Sequence, residues 1–321
     1  MEKQKRINVA IVGYGNLGRA CVEQIFEQDN VFNLVGAFSK RDIEGAYKLE
    51  DIEWFKEDID VVIYCGGSKN DAEKEVPWLN KKGFHTVDSF DTHIKIASQE
   101  YQKLINDAAK KGKTTAIIGA GWDPGLLSIL RILFKGVMPK GKLHTFFGGQ
   151  NGGLSQGHSN ALKGIEGVKN ARQLTVTRED AITAALSGRI VPSEERHKRV
   201  CYIVAESGQE ASIEQQIRNM PGYFKDQQVE IHFQTDEQFN EMIAKTEYPN
   251  AHSGRVISAD GNATIDVQLN MKDNPHFTAN AMLAFARANY MMQQKGLRGA
   301  FTIDEVAPAY LVSEEDRLNN I

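Results

Sequence analysis

The sequence has only three cysteines in 321 residues, Cys21, Cys65 and Cys201, and they show neither zinc-site nor redox-pair spacing. No metal finger and no disulfide framework is expected, and Cys21 and Cys65 read as small buried residues. No apolar run reaches the roughly 18 residues of a membrane span. The polar start Met1-Glu2-Lys3-Gln4-Lys5 has no apolar signal stretch. These absences lead to the expectation of a cytoplasmic protein with no membrane partner. An excess of basic charge is lacking as well: the net charge is −4, and no cluster of cations interleaved with aromatics appears, which argues against a nucleic-acid partner. None of the eight histidines has HExxH spacing, so no catalytic metal is expected. No GxxxxGK[ST] phosphate loop is present, and no serine nucleophile elbow is expected.

What the sequence does have begins with a strand running into a glycine turn. Arg6-Ile7-Asn8-Val9-Ala10-Ile11-Val12 leads into Gly13-Tyr14-Gly15-Asn16-Leu17-Gly18-Arg19. In a strand–turn–helix unit Gly13 permits the tight turn, Gly15 admits a pyrophosphate to the backbone, and Gly18 lets the helix pack on the strand. The pyrophosphate then rests on unpaired helix N–H groups, with Tyr14, Asn16 and Leu17 completing the cofactor-binding turn. A second strand, Phe32–Phe38, ends in Ser39-Lys40-Arg41, where a dinucleotide with a free ribose 2′-hydroxyl would meet an acid. A hydroxyl and two cations suit a 2′-phosphate, which makes NADP the expected cofactor rather than NAD. After the apolar run Ile59–Tyr64, the turn Cys65-Gly66-Gly67-Ser68 is also expected to face the cofactor.

The alternation continues through helix Ala72–Lys82, strand His85–Val87, helix Ile94–Lys111 and strand Thr115–Ile118, which predicts an α/β fold with a Rossmann-type, doubly wound dinucleotide-binding domain. Past Gly121 the texture changes. Strands Leu143–Phe147, Leu174–Val176, Val200–Val204 and Val229–Phe233, then the pair Arg255–Ser258 and Ala263–Met271, alternate with helical segments as an α+β domain with a mixed or antiparallel sheet. An amphipathic helix, Thr278–Gln294, is expected to return to the first domain. The expected division is 1–122 plus about 275–321 for dinucleotide binding, and 123–274 for substrate binding and dimerisation. Gly148–Gly153 reads as a flexible loop and Ser313–Ile321 as a loosely ordered tail.

Ligands of an open α/β sheet lie beyond the carboxyl ends of its strands. Asp88 and Asp91 occupy that position in Val87-Asp88-Ser89-Phe90-Asp91-Thr92-His93, and Asp123 does in Gly121-Trp122-Asp123-Pro124-Gly125, with Trp122 placed to wall a pocket. Each Asp also has a plainer reading as a helix cap. In the second domain Gly153-Leu154-Ser155-Gln156-Gly157-His158-Ser159-Asn160 packs hydrogen-bonding groups at a helix start, His197-Lys198-Arg199 precedes a strand, and His252 and Asn274 sit in loops. Acids near a nicotinamide suit an ammonium on the reacting carbon, whereas an Arg and a His elsewhere suit a carboxylate. The combination points to an amino acid oxidised by a bound nicotinamide. Two alternatives stand beside it: another small-substrate oxidoreductase, of the homoserine dehydrogenase or dihydrodipicolinate reductase type, and a non-catalytic NADP-sensing regulator. A regulator would have little need for Asp91, Asp123, Arg199 and His252 together.

These blocks, in this order and across nearly the whole chain, resemble the meso-diaminopimelate dehydrogenases, NADP-dependent D-amino-acid dehydrogenases of a one-step route to lysine. The resemblance implies a homodimer that oxidatively deaminates the D-centre of meso-2,6-diaminopimelate, reversibly, to L-2-amino-6-oxopimelate and ammonia. It implies that Asp91 and Asp123 bind the amino group at the reacting D-centre and are the catalytic candidates, with Trp122, Phe147, Gln156 and Gly157 near that end. Thr175, Arg199, His252 and Asn274 would hold the distal L-amino acid end. The chain departs from the family's pattern at Phe146-Phe147, where Phe-Trp is common, at Lys40, where Arg is frequent, in the longer loop Gly148–Gly153, and at Asn250-Ala251-His252-Ser253-Gly254.

Overall fold

The structure, a computed structural model, describes residues 5–67 and 71–321. Contacts divide the chain into two compact units, one reaching from the N-terminus to Ile129 and including Pro275–Ile321, the other Leu130–Asn274. Residues 123–129, assigned above to the second domain, therefore cluster with the first unit.

The first unit is built on near-continuous apolar strands, the pattern of a parallel sheet covered on both faces. Its strands are β1 (Ile7–Val12), β2 (Phe32–Ser39), β3 (Tyr47–Lys48), β4 (Val61–Tyr64), β5 (Thr86–Asp88) and β6 (Thr115–Ile118). The second unit supplies β7 (Lys142–Phe147), β8 (Gly153–Leu154), β9 (Val168–Thr177), β10 (His197–Ala205), β11 (Gln228–Phe233), β12 (His252–Ala259) and β13 (Thr264–Met271), and β14 (Gly299–Thr302) returns to the first. Among the described residues the first sheet has the order β14-β6-β5-β4-β1-β2-β3, with every pairing parallel. The chain builds outward from β1 in one direction and then, from β4, in the other. The switch point lies between β1 and β4, where open α/β sheets take their ligands.

Register aligns the strand ends at that edge. Val12 pairs with Phe38 on one side and Tyr64 on the other, and Tyr64 pairs with Asp88. Gly13, Cys65 and Ser89 therefore leave the sheet side by side, next to Ser39, the last residue of β2. Behind them, the helix Asn274–Gln294 lays Ala279, Met282, Leu283 and Ala286 into the core at three- and four-residue spacing. On the same helix the fully buried Asn289 donates to Thr86 O at 2.9 Å and Thr115 O at 3.1 Å, fixing β5 against β6. Truncating Leu283 to Ala should cost about 2–5 kcal/mol, because a fully buried Leu leaves a cavity.

The second unit has a mixed four-stranded sheet, β11-β10-β9-β8, and an antiparallel three-stranded sheet, β13-β12-β7. Several expectations need correcting. Helix 94–111 is two helices, His93–Ile96 and Gln99–Gly112, because Ser98 caps the second by accepting the Tyr101 N–H. The 148–153 segment is pinned: Gly148 N donates to Ser253 O, Thr177 N donates to Gly149 O, and Gly153-Leu154 pairs with β9. His197 opens β10 rather than preceding it. The tail contains a helix, Glu314–Asn319, capped by Ser313.

Candidate functional site

The glycine turn shows three different demands on three glycines. Gly13 has φ +96°, and a Cβ there would lie 2.6 Å from the Cys65 carbonyl carbon. A Cβ on Gly18 would lie 2.0 Å from Gly13 O, so the helix Asn16–Glu27 can approach β1 only with glycine here. Gly15 is unlike both: a Cβ there meets nothing within 4 Å. Internal packing does not require that glycine, and the open space beside it is what a bound pyrophosphate needs. Gly15 also stands at the N-cap of the helix, where no side-chain oxygen occupies the first-turn N–H groups and no acid lies in the first turn. Tyr14 carries the Arg19 guanidinium over its ring at 4.6 Å, Asn16 is exposed, and Leu17 packs on the core.

At the neighbouring strand end Ser39 is buried and its Oγ accepts the Arg41 N–H at 3.1 Å, forming a small turn that presents the next two cations. They differ. Lys40 is paired with Asp71 at 2.8 Å and with Glu75, whose other oxygen accepts the Tyr64 hydroxyl. The exposed Arg41 has no side-chain partner among the described residues and is the cation available to a phosphate. Cys65 and Gly66 are half-buried and Gly67 exposed, with Cys65 Sγ 3.6 Å from Cys21 Sγ, both thiols being free. Ser68 lies outside the described residues.

Two acid-bearing turns follow β5 and β6. In the first, Asp91 is exposed and its carbonyl accepts the His93 N–H. The second is a tight loop closed by Gly121 N to Pro124 O at 3.0 Å, with a cis bond between Asp123 and Pro124. Gly125 is obligatory there, since a Cβ would fall 1.6 Å from Gly121 O. This loop holds Trp122 and Asp123, both half-buried. The turns pack on each other: a Cβ on Gly121 would lie 3.9 Å from Ser89 Cβ, and one on Gly119 would lie 3.7 Å from Phe90 O.

In the second unit the centre is Arg199. It stands directly opposite Thr175 across β9 and β10, and its Nη1 donates to Thr175 Oγ1 at 2.6 Å. Burial lowers its pKa, and no carboxylate pairs with it among the described residues. Its Nε is buried without a partner. Three imidazoles lie within electrostatic reach of the guanidinium, His158, His197 and His252, and burial pushes all three below the ordinary histidine range. Neutral rings around an unpaired cation leave its charge for a bound anion. His197 Nε2 accepts the Phe147 N–H at 2.8 Å and its ring stacks on Phe147 with centroids 5.8 Å apart. His252 opens β12 beside Gly153 and helps line a depression of about 450 Å³ that also includes Tyr248, Ser253 and Asn270. Gln156 and Gly157, exposed, start the helix Gln156–Lys163, and Asn274 N donates to Asn250 O.

Comparison with known proteins decides the family. Residues 121–273 match the diaminopimelic acid dehydrogenase C-terminal domain. Meso-diaminopimelate D-dehydrogenase of Lysinibacillus sphaericus is 39% identical over 316 residues, covering 94% of each chain. The chain belongs to the meso-diaminopimelate D-dehydrogenase family. Among solved members, the C. glutamicum DAP dehydrogenase in complex with DAP superposes with a TM-score of 0.88 at 36% identity, covering 99% of both chains. An engineered D-amino acid dehydrogenase bound to NADP+ gives a TM-score of 0.83 at 35% identity, covering 98% of this chain and 99% of its own.

Within the family frame, sequence reading named Asp88, His158 and His197 within its motifs but gave none of them a role. The signal for His197 was its position two residues before Arg199, which puts both on one face of a strand. It also missed that Gly153-Leu154-Ser155-Gln156-Gly157 spells GxSxG, with Ser155 Oγ 2.8 Å from His158 Nδ1. Ser155 has φ −96° and ψ 105°, relaxed extended backbone rather than the strained turn of a nucleophile elbow, so the spelling carries no hydrolase chemistry.

Proposed function

We propose that this chain is an NADP-dependent meso-diaminopimelate D-dehydrogenase, taking meso-diaminopimelate, NADP+ and water to L-2-amino-6-oxopimelate, NADPH, ammonium and a proton, reversibly. The observation that supports it most is the half-buried Arg199 held by Thr175 with no carboxylate partner among the described residues, within a chain that matches its family along 94% of its length. Bound NADP would supply the hydride acceptor. The open backbone at Gly15, the uncapped helix start and Arg41 fit that dinucleotide, with Gly13, Tyr14, Asn16, Leu17, Gly18, Ser39, Lys40, Cys65, Gly66, Gly67 and Ser68 completing its turns.

In this reading Asp91 and Asp123 take the ammonium of the D-centre, and either carboxylate accepts its proton directly or through water. Trp122, Phe147, Gln156 and Gly157 shape that end. Arg199, Thr175, His252 and Asn274 hold the L-centre, the guanidinium pairing with the distal carboxylate. Fixing the L-centre leaves only a D-configured hydrogen aligned for transfer. The first unit then serves as dinucleotide-binding domain and the second as substrate and dimerisation domain of a cytoplasmic homodimer in lysine biosynthesis. No helix among the described residues is long and apolar enough to cross a membrane.

The test is reduced-nicotinamide absorbance with purified protein and the separate stereoisomers. Turnover of the meso isomer with NADP and none of the LL isomer is expected. Equal turnover of both, or NADP binding without turnover of any amino acid, contradicts the proposal, and the latter favours a regulator.

A further inference from the structure

Asp88 ends β5 and is fully buried. One of its carboxylate oxygens, Oδ1, accepts two backbone N–H groups: Phe90 N at 2.9 Å, in its own turn, and Gly119 N at 3.1 Å, in the turn after β6. Its main-chain carbonyl accepts a third, Ala120 N at 2.7 Å. The first bond shapes the segment that carries Asp91, and the other two reach the segment that carries Trp122 and Asp123. Oδ2 is buried with no partner there.

We propose that Asp88 is the positioning residue that holds the two acid-bearing turns, 89–93 and 119–125, in register with each other. The proposal rests on the reading of Asp91 and Asp123 as the groups at the reacting centre, and it adds the element that sets their spacing. A buried carboxylate suits the task because it accepts several N–H bonds at once, and an ionised acceptor makes stronger bonds than a neutral one. A neutral Asn would keep the acceptor and lose the charge; an Ala would leave two buried N–H groups unpaired. Burial lifts the carboxyl to about 6, against the pull of the two N–H bonds. Tyr64 on β4 and Tyr101 on the helix Gln99–Gly112 are the titratable groups facing it, and both are held protonated by burial.

The test compares the full-length protein with Asp88→Ala and Asp88→Asn by three readouts: amide hydrogen exchange without substrate, NADP affinity, and kcat/KM for meso-diaminopimelate. Exchange in Asp88→Ala is expected to accelerate in 89–93 and 119–125 together. Turnover efficiency should fall by about 100-fold, the scale of a roughly 1 Å misplacement, with NADP affinity within about twofold of the original. Asp88→Asn should recover both exchange and turnover to within about fivefold at alkaline pH. Acceleration in one segment only, unchanged turnover in the Ala variant, or no recovery in the Asn variant overturns the proposal. If the Ala variant does not fold, Asp88→Ser, which shortens the acceptor with a smaller loss of volume, is read in its place by the same exchange measurement: acceleration in both segments together is expected, and acceleration in one only or in neither overturns the proposal. Exchange is read without substrate, so a protein inactive on meso-diaminopimelate sinks the functional reading and still reports on the tie between the turns.

Discussion

Arg199 and Thr175 face each other across β9 and β10, and the guanidinium of the first donates to the hydroxyl of the second at 2.6 Å. The hydroxyl fixes the direction of a half-buried cation without neutralising it, which a carboxylate partner would do. Arg199→Ala is expected to lower kcat/KM for meso-diaminopimelate by about 10- to 100-fold, the worth of a charged hydrogen bond, and to leave NADP affinity unchanged. Thr175→Val should act in the same direction and more weakly. Substrate kinetics beside a cofactor titration check this, and equal loss of both affinities contradicts it.

Gly15 and Gly18 should respond in opposite ways to the same added methyl group. Gly18→Ala forces a Cβ to 2.0 Å from Gly13 O and should destabilise the protein by more than about 2 kcal/mol. Gly15→Ala meets nothing and should leave stability within about 0.5 kcal/mol, while NADP affinity falls by about tenfold or more because the methyl group occupies ligand space. Urea unfolding and NADP titration of both variants separate the two effects. A destabilised but NADP-competent Gly15→Ala contradicts the assignment.

The two cations after β2 should not be equivalent. Lys40 is held by Asp71 and Glu75, whereas Arg41 has its fork free among the described residues. Arg41→Ala should lower the preference for NADP over NAD by about 10- to 100-fold, and Lys40→Ala by about threefold or less. The ratio of kcat/KM values with the two cofactors measures this, and a larger effect at Lys40 reverses the assignment.

Acidification should destabilise the fold. Burial lowers His197 to about 3, and His85 and His158 to about 4, from 6.5. His85 and His197 each accept a backbone N–H, from Thr115 and Phe147, which requires the neutral ring. Below about pH 6.5 the unfolded chain binds protons that the folded chain refuses, so the stability these rings contribute is complete above that pH and is lost as pH falls toward their folded values. Asp88 opposes this between 3.8 and about 6, because there the folded chain binds the extra proton. Three rings outweigh one carboxyl. The urea midpoint should drop between about pH 7 and about pH 5, His197 contributing about 2 kcal/mol at most. A flat or rising midpoint contradicts the balance.

Much of the first unit was legible because parallel strands write themselves as apolar runs: Thr115–Ile118 was placed to the residue, and the carboxyl ends of β1, β2 and β4 to within one residue. The glycine turn was legible because close packing tolerates nothing else at Gly13 and Gly18. The edges were not. β3 has two residues, too short for any periodicity, β14 has a single large apolar residue, Phe301, and the break at Ser98 is set by one capping hydroxyl within a helical pattern. Of β9 only Leu174–Val176, toward its carboxyl end, was read, because the residues before it are largely polar: Lys169, Asn170 and Arg172 stand among them. The candidate site showed itself as residue types. What residue types could not show was which groups are already committed: Lys40 to two acids, His197 to a backbone N–H, and Asp88 to two turns at once.

The most direct test of the account follows one atom. Meso-diaminopimelate carrying deuterium on the D α-carbon, incubated with the protein and NADP, should give NADPH with one deuterium at the nicotinamide C4 and one ammonium per turnover, while the L-centre keeps its hydrogen. Deuterium found in solvent, retained in the diacid, or transferred only when the label sits on the L-centre would contradict it.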